Sequence, residues 1–169
     1  FKQKTAYEIT YGDWSSDVCS SDLAFKLNAI FSGCIDWDRG DMACAGVNLS
    51  DRTPDWEDNY RIPDVMVYLA GGAARNHDTH WVGGLDFLVE IAYPGEDLSK
   101  KLDFYSSVGT RELLVIERTP WALELYKLRR GKLISSGRSI VSSPAPLKST
   151  VLPLTFQLQA GKPRPTLHI

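Results

Sequence analysis

The sequence predicts a single α/β domain with a mixed central sheet flanked by helices. Three observations carry that prediction. Residues 85–92 (LDFLVEIA) are apolar on both faces, the mark of a central strand covered from both sides. Residues 97–108 follow with Leu98, Leu102 and Tyr105 at helical spacing and Gly109 at the stop position. Residues 112–117 are then a second apolar strand, so the helix reads as a crossover, right-handed if the strands it joins are parallel.

The remaining elements follow in chain order. Residues 24–34 (AFKLNAIFSGC) carry Phe25, Leu27, Ile30 and Phe31 as the last turns of an amphipathic helix, ended by Gly33. Residues 42–49 hold small and branched side chains suited to a strand, and residues 50–60 form a polar, acidic loop. Residues 61–69 are a strand with Val65, Val67 and Leu69 on one face and Asp64, Met66 and Tyr68 on the other. Residues 70–84 read as loop, punctuated by Gly71-Gly72 and Gly83-Gly84. In the central strand, Leu85, Phe87, Val89 and Ile91 point one way, and Asp86, Leu88, Glu90 and Ala92 the other. Pro94-Gly95 turns the chain into the crossover helix. Residues 122–129 and 132–140 are strands around an Arg130-Gly131 turn, and residues 151–158 add a last apolar segment before a Pro-rich tail at 161–169. No repeat, second domain or low-complexity region is evident.

Residues 1–23 stand apart. The blocks FKQKTAYEI and DWSSDVCSSDL resemble the conceptual translation of a common sequencing-library adapter, with Thr10 and Tyr11 where a sample index would be read. The expectation is a non-native segment over 1–23, a restriction of functional reasoning to 24–160, and a natural N-terminus that this segment replaces. The 169 residues carry 19 basic and 21 acidic side chains. Residues 1–23 hold two of the former and four of the latter, which leaves 17 of each. Whole-chain charge therefore gives no support to non-specific nucleic-acid binding. Cys34 and Cys44 lack C-x-x-C spacing and suit buried thiols in a reducing compartment, the cytoplasm. No apolar run approaches the roughly 20 residues that span a bilayer.

The chemistry lies in carboxylates set inside apolar strands. A buried carboxylate is unfavourable unless a metal, a proton or a cation compensates it. Asp64 shares a face with Met66; Asp86 and Glu90 share a face of the next strand. If the two faces align, the acids converge into a site for Mg²⁺ or Mn²⁺, which prefer hard oxygen ligands. Such a metal supports phosphodiester hydrolysis by generating hydroxide and offsetting phosphate charge. Lys101, three residues after Leu98 and four before Tyr105, lies on or beside the packed helix face, whereas Lys100 turns toward solvent. The plainer account makes Glu90 a salt-bridge partner of Lys101 or Arg111. His77-x-x-His80 has too little around it for a metal site, and Lys127, Arg129, Arg130 and Lys132 read as a solvated hairpin tip, with a DNA-backbone contact as the minor alternative.

Three segments in order, Arg-Ile-Pro-Asp-Val at 61–65, Asp-Phe-Leu-Val-Glu-Ile at 86–91 ahead of a Pro-Gly turn, and Lys-Leu-x-x-Tyr-x-x-x-Gly-x-x-Glu from Lys101, resemble the Uma-two family of restriction endonucleases in the PD-(D/E)XK nuclease superfamily. The resemblance runs from about Ala24 to near the C-terminus. It implies a restriction-endonuclease-like core acting on DNA with Mg²⁺ (or Mn²⁺), Asp64 and Glu90 as metal-binding acids, Asp86 as an assisting acid, and Lys101 as the catalytic lysine. The superfamily's strand lysine would fall at Ala92, so Lys101 on the following helix stands in for it. A homodimer would supply two sites for double-strand cutting. The alternative reading is a catalytically inactive nuclease-fold module that binds nucleic acid or protein.

Overall fold

The computed structural model describes residues 8–9, 20–162 and 164–169. Its frame is a six-stranded sheet of β1 (Met42–Cys44), β2 (Val65–Tyr68), β3 (Phe87–Ala92), β4 (Glu112–Arg118), β5 (Trp121–Arg129) and β6 (Lys132–Ile140). The strands lie side by side in sequence order. Every neighbouring pair is antiparallel except β3 and β4. A parallel pair cannot be closed by a hairpin, and here the crossover is the helix α2 (Ser99–Val108). Helix α1 (Ser20–Ser32) packs on the opposite face of the sheet.

Two-residue periodicity divides the core accordingly. Val65, Val67, Phe87, Val89, Ile91, Leu114 and Ile116 face α1 and the C-terminal strands. Met66, Leu88, Ala92, Leu113 and Val115 face Phe104 and Tyr105 of α2. All six residues of β3 are buried, as expected for a strand covered twice. Phe31, Phe87 and Phe156 form an aromatic centre on the α1 side, with ring centroids 5.6–6.2 Å apart. On the other side, the two ends of the crossover meet without side chains. A Cβ on Gly84 would collide with the backbone of Gly109, which ends α2 in the left-handed conformation at φ 88°.

The differences from the sequence reading have local causes. The expected strand at 42–49 is two strands: β1 pairs with β2, while Leu49–Ser50 joins a small sheet with Tyr60–Arg61 and Trp81–Val82. Gly46, at φ 67°, lies in the turn between them. The expected strand at 61–69 starts later, because Pro63 has no amide to give the ladder and β2 begins at Val65. At 151–154 the Ser149 hydroxyl accepts the Val151 and Leu152 amides, so the chain turns there and the strand is Thr155–Gln159. Residues 161–169 do not trail away: Thr166–His168 pairs with Thr155–Gln159, and Leu167 is buried. At the other end, α1 takes in Ser20 to Leu23, with Leu23 in the core, whereas residues 1–7 and 10–19 of the adapter-like segment lie outside the described residues. Cys34 and Cys44 are outside any disulfide and half-buried rather than buried. Among the described residues no helix is long and apolar enough to cross a membrane.

Phe87 sits at the junction of α1, β3 and the C-terminal strands with no exposed surface. Phe87→Ala is expected to destabilise the protein by about 3–5 kcal/mol in urea denaturation; a change below about 1 kcal/mol would show that this centre is not the core's packing point.

Candidate active site

Asp64 is placed by the residue before it. Pro63 ends the approach to β2, and the Asp64 amide donates to the Val89 carbonyl at 3.0 Å. Its Oδ2 accepts the Ile91 amide at 2.7 Å. Asp64 therefore spans the backbone of β3 on either side of Glu90 through its amide and its carboxylate, which brings the two acids together at one end of the β2–β3 pair. Glu90 itself projects from the middle of an apolar strand toward α2 and is only 1% exposed.

Helix α2 answers that carboxylate twice. Lys101 Nζ donates to Glu90 Oε2 at 2.8 Å, and the Tyr105 hydroxyl, one turn further on, donates to Oε1. Lys101 also bridges to Glu96 Oε1 at 2.7 Å. Glu96 is delivered by a tight turn: its amide donates to the Tyr93 carbonyl, its Oε2 accepts the Tyr93 amide, and Gly95 takes φ 79° between Pro94 and Glu96.

The electrostatics follow from burial and these contacts. Burial pushes the Glu90 carboxyl above its ordinary range, and neighbouring Asp64 adds to the effect; Lys101 and Tyr105 oppose it without overcoming it. Burial likewise raises Asp64 against the Ile91 amide and the Lys101 charge. Partial burial would raise Glu96, but its bonds to Lys101 and the Tyr93 amide hold it below its usual value. Burial would lower Lys101, but Glu90 and Glu96 outweigh it and keep the ammonium charged. Tyr105 is pushed up by burial and by Glu90, so it stays a phenol and a donor.

The sequence-derived set thus divides. Asp64, Glu90 and Lys101 come together. Asp86 does not join them, although it shares their face, because it lies four residues back along the same strand, roughly 13 Å at about 3.3 Å per residue. There it accepts the Leu69 amide at 2.8 Å and pairs with Arg111 at 2.7 Å. Glu96 and Tyr105 were missed as site residues. Tyr105 read as a packing position, and only its four-residue offset from Lys101 hinted that both could reach one carboxylate. Glu96 lay hidden in the turn that the Pro-Gly signal announced.

Among the described residues no group of three or more His, Cys, Asp or Glu side chains is arranged to hold a metal. Two carboxylates do suffice for Mg²⁺, which is commonly held by one or two acids, with water and substrate phosphate oxygens completing its shell. Asp64 and Glu90 provide hard oxygens of that kind, and each oxygen already in a hydrogen bond keeps a second lone pair. His77 instead stacks on His80 at a centroid distance of 5.1 Å, His80 stacks on Trp56 at 4.9 Å, and Trp81 packs on Tyr68.

No curated protein matches the sequence. The fold resembles the crystal structure of "a putative nuclease belonging to DUF820" from Anabaena variabilis, at a TM-score of 0.57 and 14% identity, over 78% of this chain and 73% of that one. A likeness at that identity speaks for the fold, an α/β architecture with a mixed sheet. A family model described as "Uma2: Putative restriction endonuclease" matches residues 6–161. By that match, which spans the central sheet and every residue of the carboxylate cluster, the chain belongs to the Uma2 family.

Proposed function

We propose that the protein is a metal-dependent endonuclease that hydrolyses DNA phosphodiester bonds. One observation carries the reading: Asp64, just ahead of β2, lies close enough to Glu90 for the two carboxyls to interact, and Lys101 reaches Glu90 from the crossover helix. Family membership supports the class of reaction and DNA as the substrate. Asp64 and Glu90 would hold Mg²⁺ or Mn²⁺. Bound there, the metal would acidify a water and neutralise charge on the scissile phosphate.

The chain's own residues have separable tasks. Glu90 and Asp64 supply negative charge that is unfavourable without a cation, so the pair would favour binding one. Tyr105 fixes the Glu90 carboxylate by a bond that survives any working pH. Lys101 keeps its proton and presents a positive charge beside Glu90, where it can stabilise a phosphoryl oxygen as negative charge builds. Glu96 shares Lys101 with Glu90 and helps hold the ammonium in place. The inactive-module alternative has one observation in its favour: both Glu90 oxygens are already engaged by α2.

A plasmid-nicking assay separates the two readings. With Mg²⁺ or Mn²⁺, supercoiled DNA should be cut, and Asp64→Ala and Glu90→Ala should each lower the rate about 100-fold or more. Equal cutting by all three proteins would remove Asp64 and Glu90 from the chemistry, and intact plasmid with every metal would favour the binding module.

Metal binding should also show as thermal stabilisation. Asp64 and Glu90 have raised native values, so in metal-free protein their protonated forms favour the native state at low pH, and that contribution is lost as pH rises through those values. Protons compete with metal for the same oxygens. Mn²⁺ should therefore raise Tm more at pH 8 than at pH 5, and chelation with EDTA should reverse the gain. An equal rise at both pH values would place the metal elsewhere.

Lys101→Met tests the ion pair directly. With Lys101 28% and Glu90 2% exposed at the side chain, partial screening reduces the usual effect of breaking a buried pair to about 1–3 kcal/mol at pH 8. The loss should shrink as pH falls, because burial raises the Glu90 carboxyl and a protonated Glu90 needs no cation. A loss independent of pH would mean that Lys101 acts through packing.

A further inference from the structure

The sheet carries a second group of charges that the carboxylate site does not use. The basic residues around the β5–β6 turn fall into two sets. Arg130 and Lys132 are exposed at the two-residue turn, whose Arg130 and Gly131 both take positive φ, as a type I′ hairpin requires. Lys127 and Arg129 lie two residues apart on one face of β5. With Arg111, Leu128, Thr150 and Val151 they line a cavity of about 330 Å³.

Two buried acids hold the walls of this cavity. Glu112, opposite Lys127 in the β4–β5 register, accepts the Thr150 amide at 2.9 Å and the hydroxyls of Ser149 and Thr150. It lies 3.5 Å from Lys127 Nζ, which also donates to the Lys148 carbonyl at 2.8 Å. Asp86 holds one nitrogen of Arg111. Both acids are 1% exposed, so they fix the cations from behind. The Arg129 guanidinium is exposed and makes no ion pair or hydrogen bond among the described residues. Three cations therefore face two acids, and the uncompensated charge is the one open to solvent.

A fixed ammonium, a tethered guanidinium and a free guanidinium around one cleft match a tetrahedral oxyanion, which accepts from several donors at once. The volume is at the low end for ligand sites, enough for a phosphate group and part of what carries it. The cleft is at the start of β4, where Glu112, Lys127 and Arg129 have the parity of the α1 face and Arg111 and Asp86 that of the other, whereas Glu90 is opposite Val115, three residues further along β4, so this is not a subsite of the carboxylate cluster. We infer that the cleft is an oxyanion site that takes a phosphate group. The inference does not depend on the nuclease reading. The phosphate could belong to a free ion or to a nucleic-acid backbone.

The test is calorimetric titration of metal-free protein with inorganic phosphate, against chloride at equal ionic strength. Phosphate should bind with a Kd in the millimolar range and raise Tm. Arg129→Ala should weaken binding at least 5-fold and Arg129→Glu should abolish it, both folding normally because Arg129 supports no buried partner. Arg130→Ala, just outside the cleft, should bind like the wild type. No phosphate effect on the wild type, or equal weakening by Arg129→Ala and Arg130→Ala, would overturn the site. Competition by a short DNA duplex at matched salt would identify a backbone phosphate; phosphate binding without such competition would identify the free ion. Both of these last outcomes support the site.

Discussion

The structure turns on one carboxylate placed where a strand should be apolar. Glu90 sits in the middle of β3, and β3 is buried along its whole length between α1 and α2. A charge there has no water to solvate it, so the fold must bring compensation from across the layer. Helix α2 does so with two side chains a turn apart, Lys101 and Tyr105. The crossover is thus more than a connection between parallel strands. Its rotational setting over the sheet is dictated by a single acid, and the Pro94-Gly95 turn that launches it adds Glu96 to the same network.

Asp64 extends the network into β2 by an unusual route. Its carboxylate takes the Ile91 amide, a group that would otherwise look for a ladder partner. The same acid therefore also closes the end of the sheet. Glu112 and Asp86 solve the same burial problem differently. Glu112 is wrapped by hydroxyls, an amide and a lysine, and Asp86 by an amide and an arginine. Both are fully supplied with partners, whereas Asp64 and Glu90 crowd each other. That contrast separates acids fully satisfied by their surroundings from a pair whose charges oppose one another.

Much of this was legible in the sequence. The double-sided apolar run of β3, the helix period after Pro94-Gly95 and the strand parity of Glu90 all come through in the structure, Asp64 falls just ahead of β2, and Lys132–Ile140 keeps the expected bounds. Parity, however, reports which face a side chain occupies and says nothing about which end of the strand it is on. Asp86 and Glu90 share a face yet meet different partners. Glu96 escaped because turn chemistry locates a bend without revealing where the residue after it points. The division of 42–49 between two sheets was hidden for a related reason: small and branched side chains suit a strand in either sheet, and only tertiary pairing decides between them.

The contact between Gly84 and Gly109 has a consequence far from any charge. It pins the C-terminal end of α2 against the entry to β3, backbone to backbone. Lys101 is near the helix's other end, so the contact acts as the fulcrum of a lever whose free arm carries the ammonium. A methyl group at Gly84 would lift that fulcrum and swing Lys101 relative to Glu90. The position is therefore one where a substitution would be felt at the Glu90–Lys101 pair, although nothing in its local chemistry would reveal why.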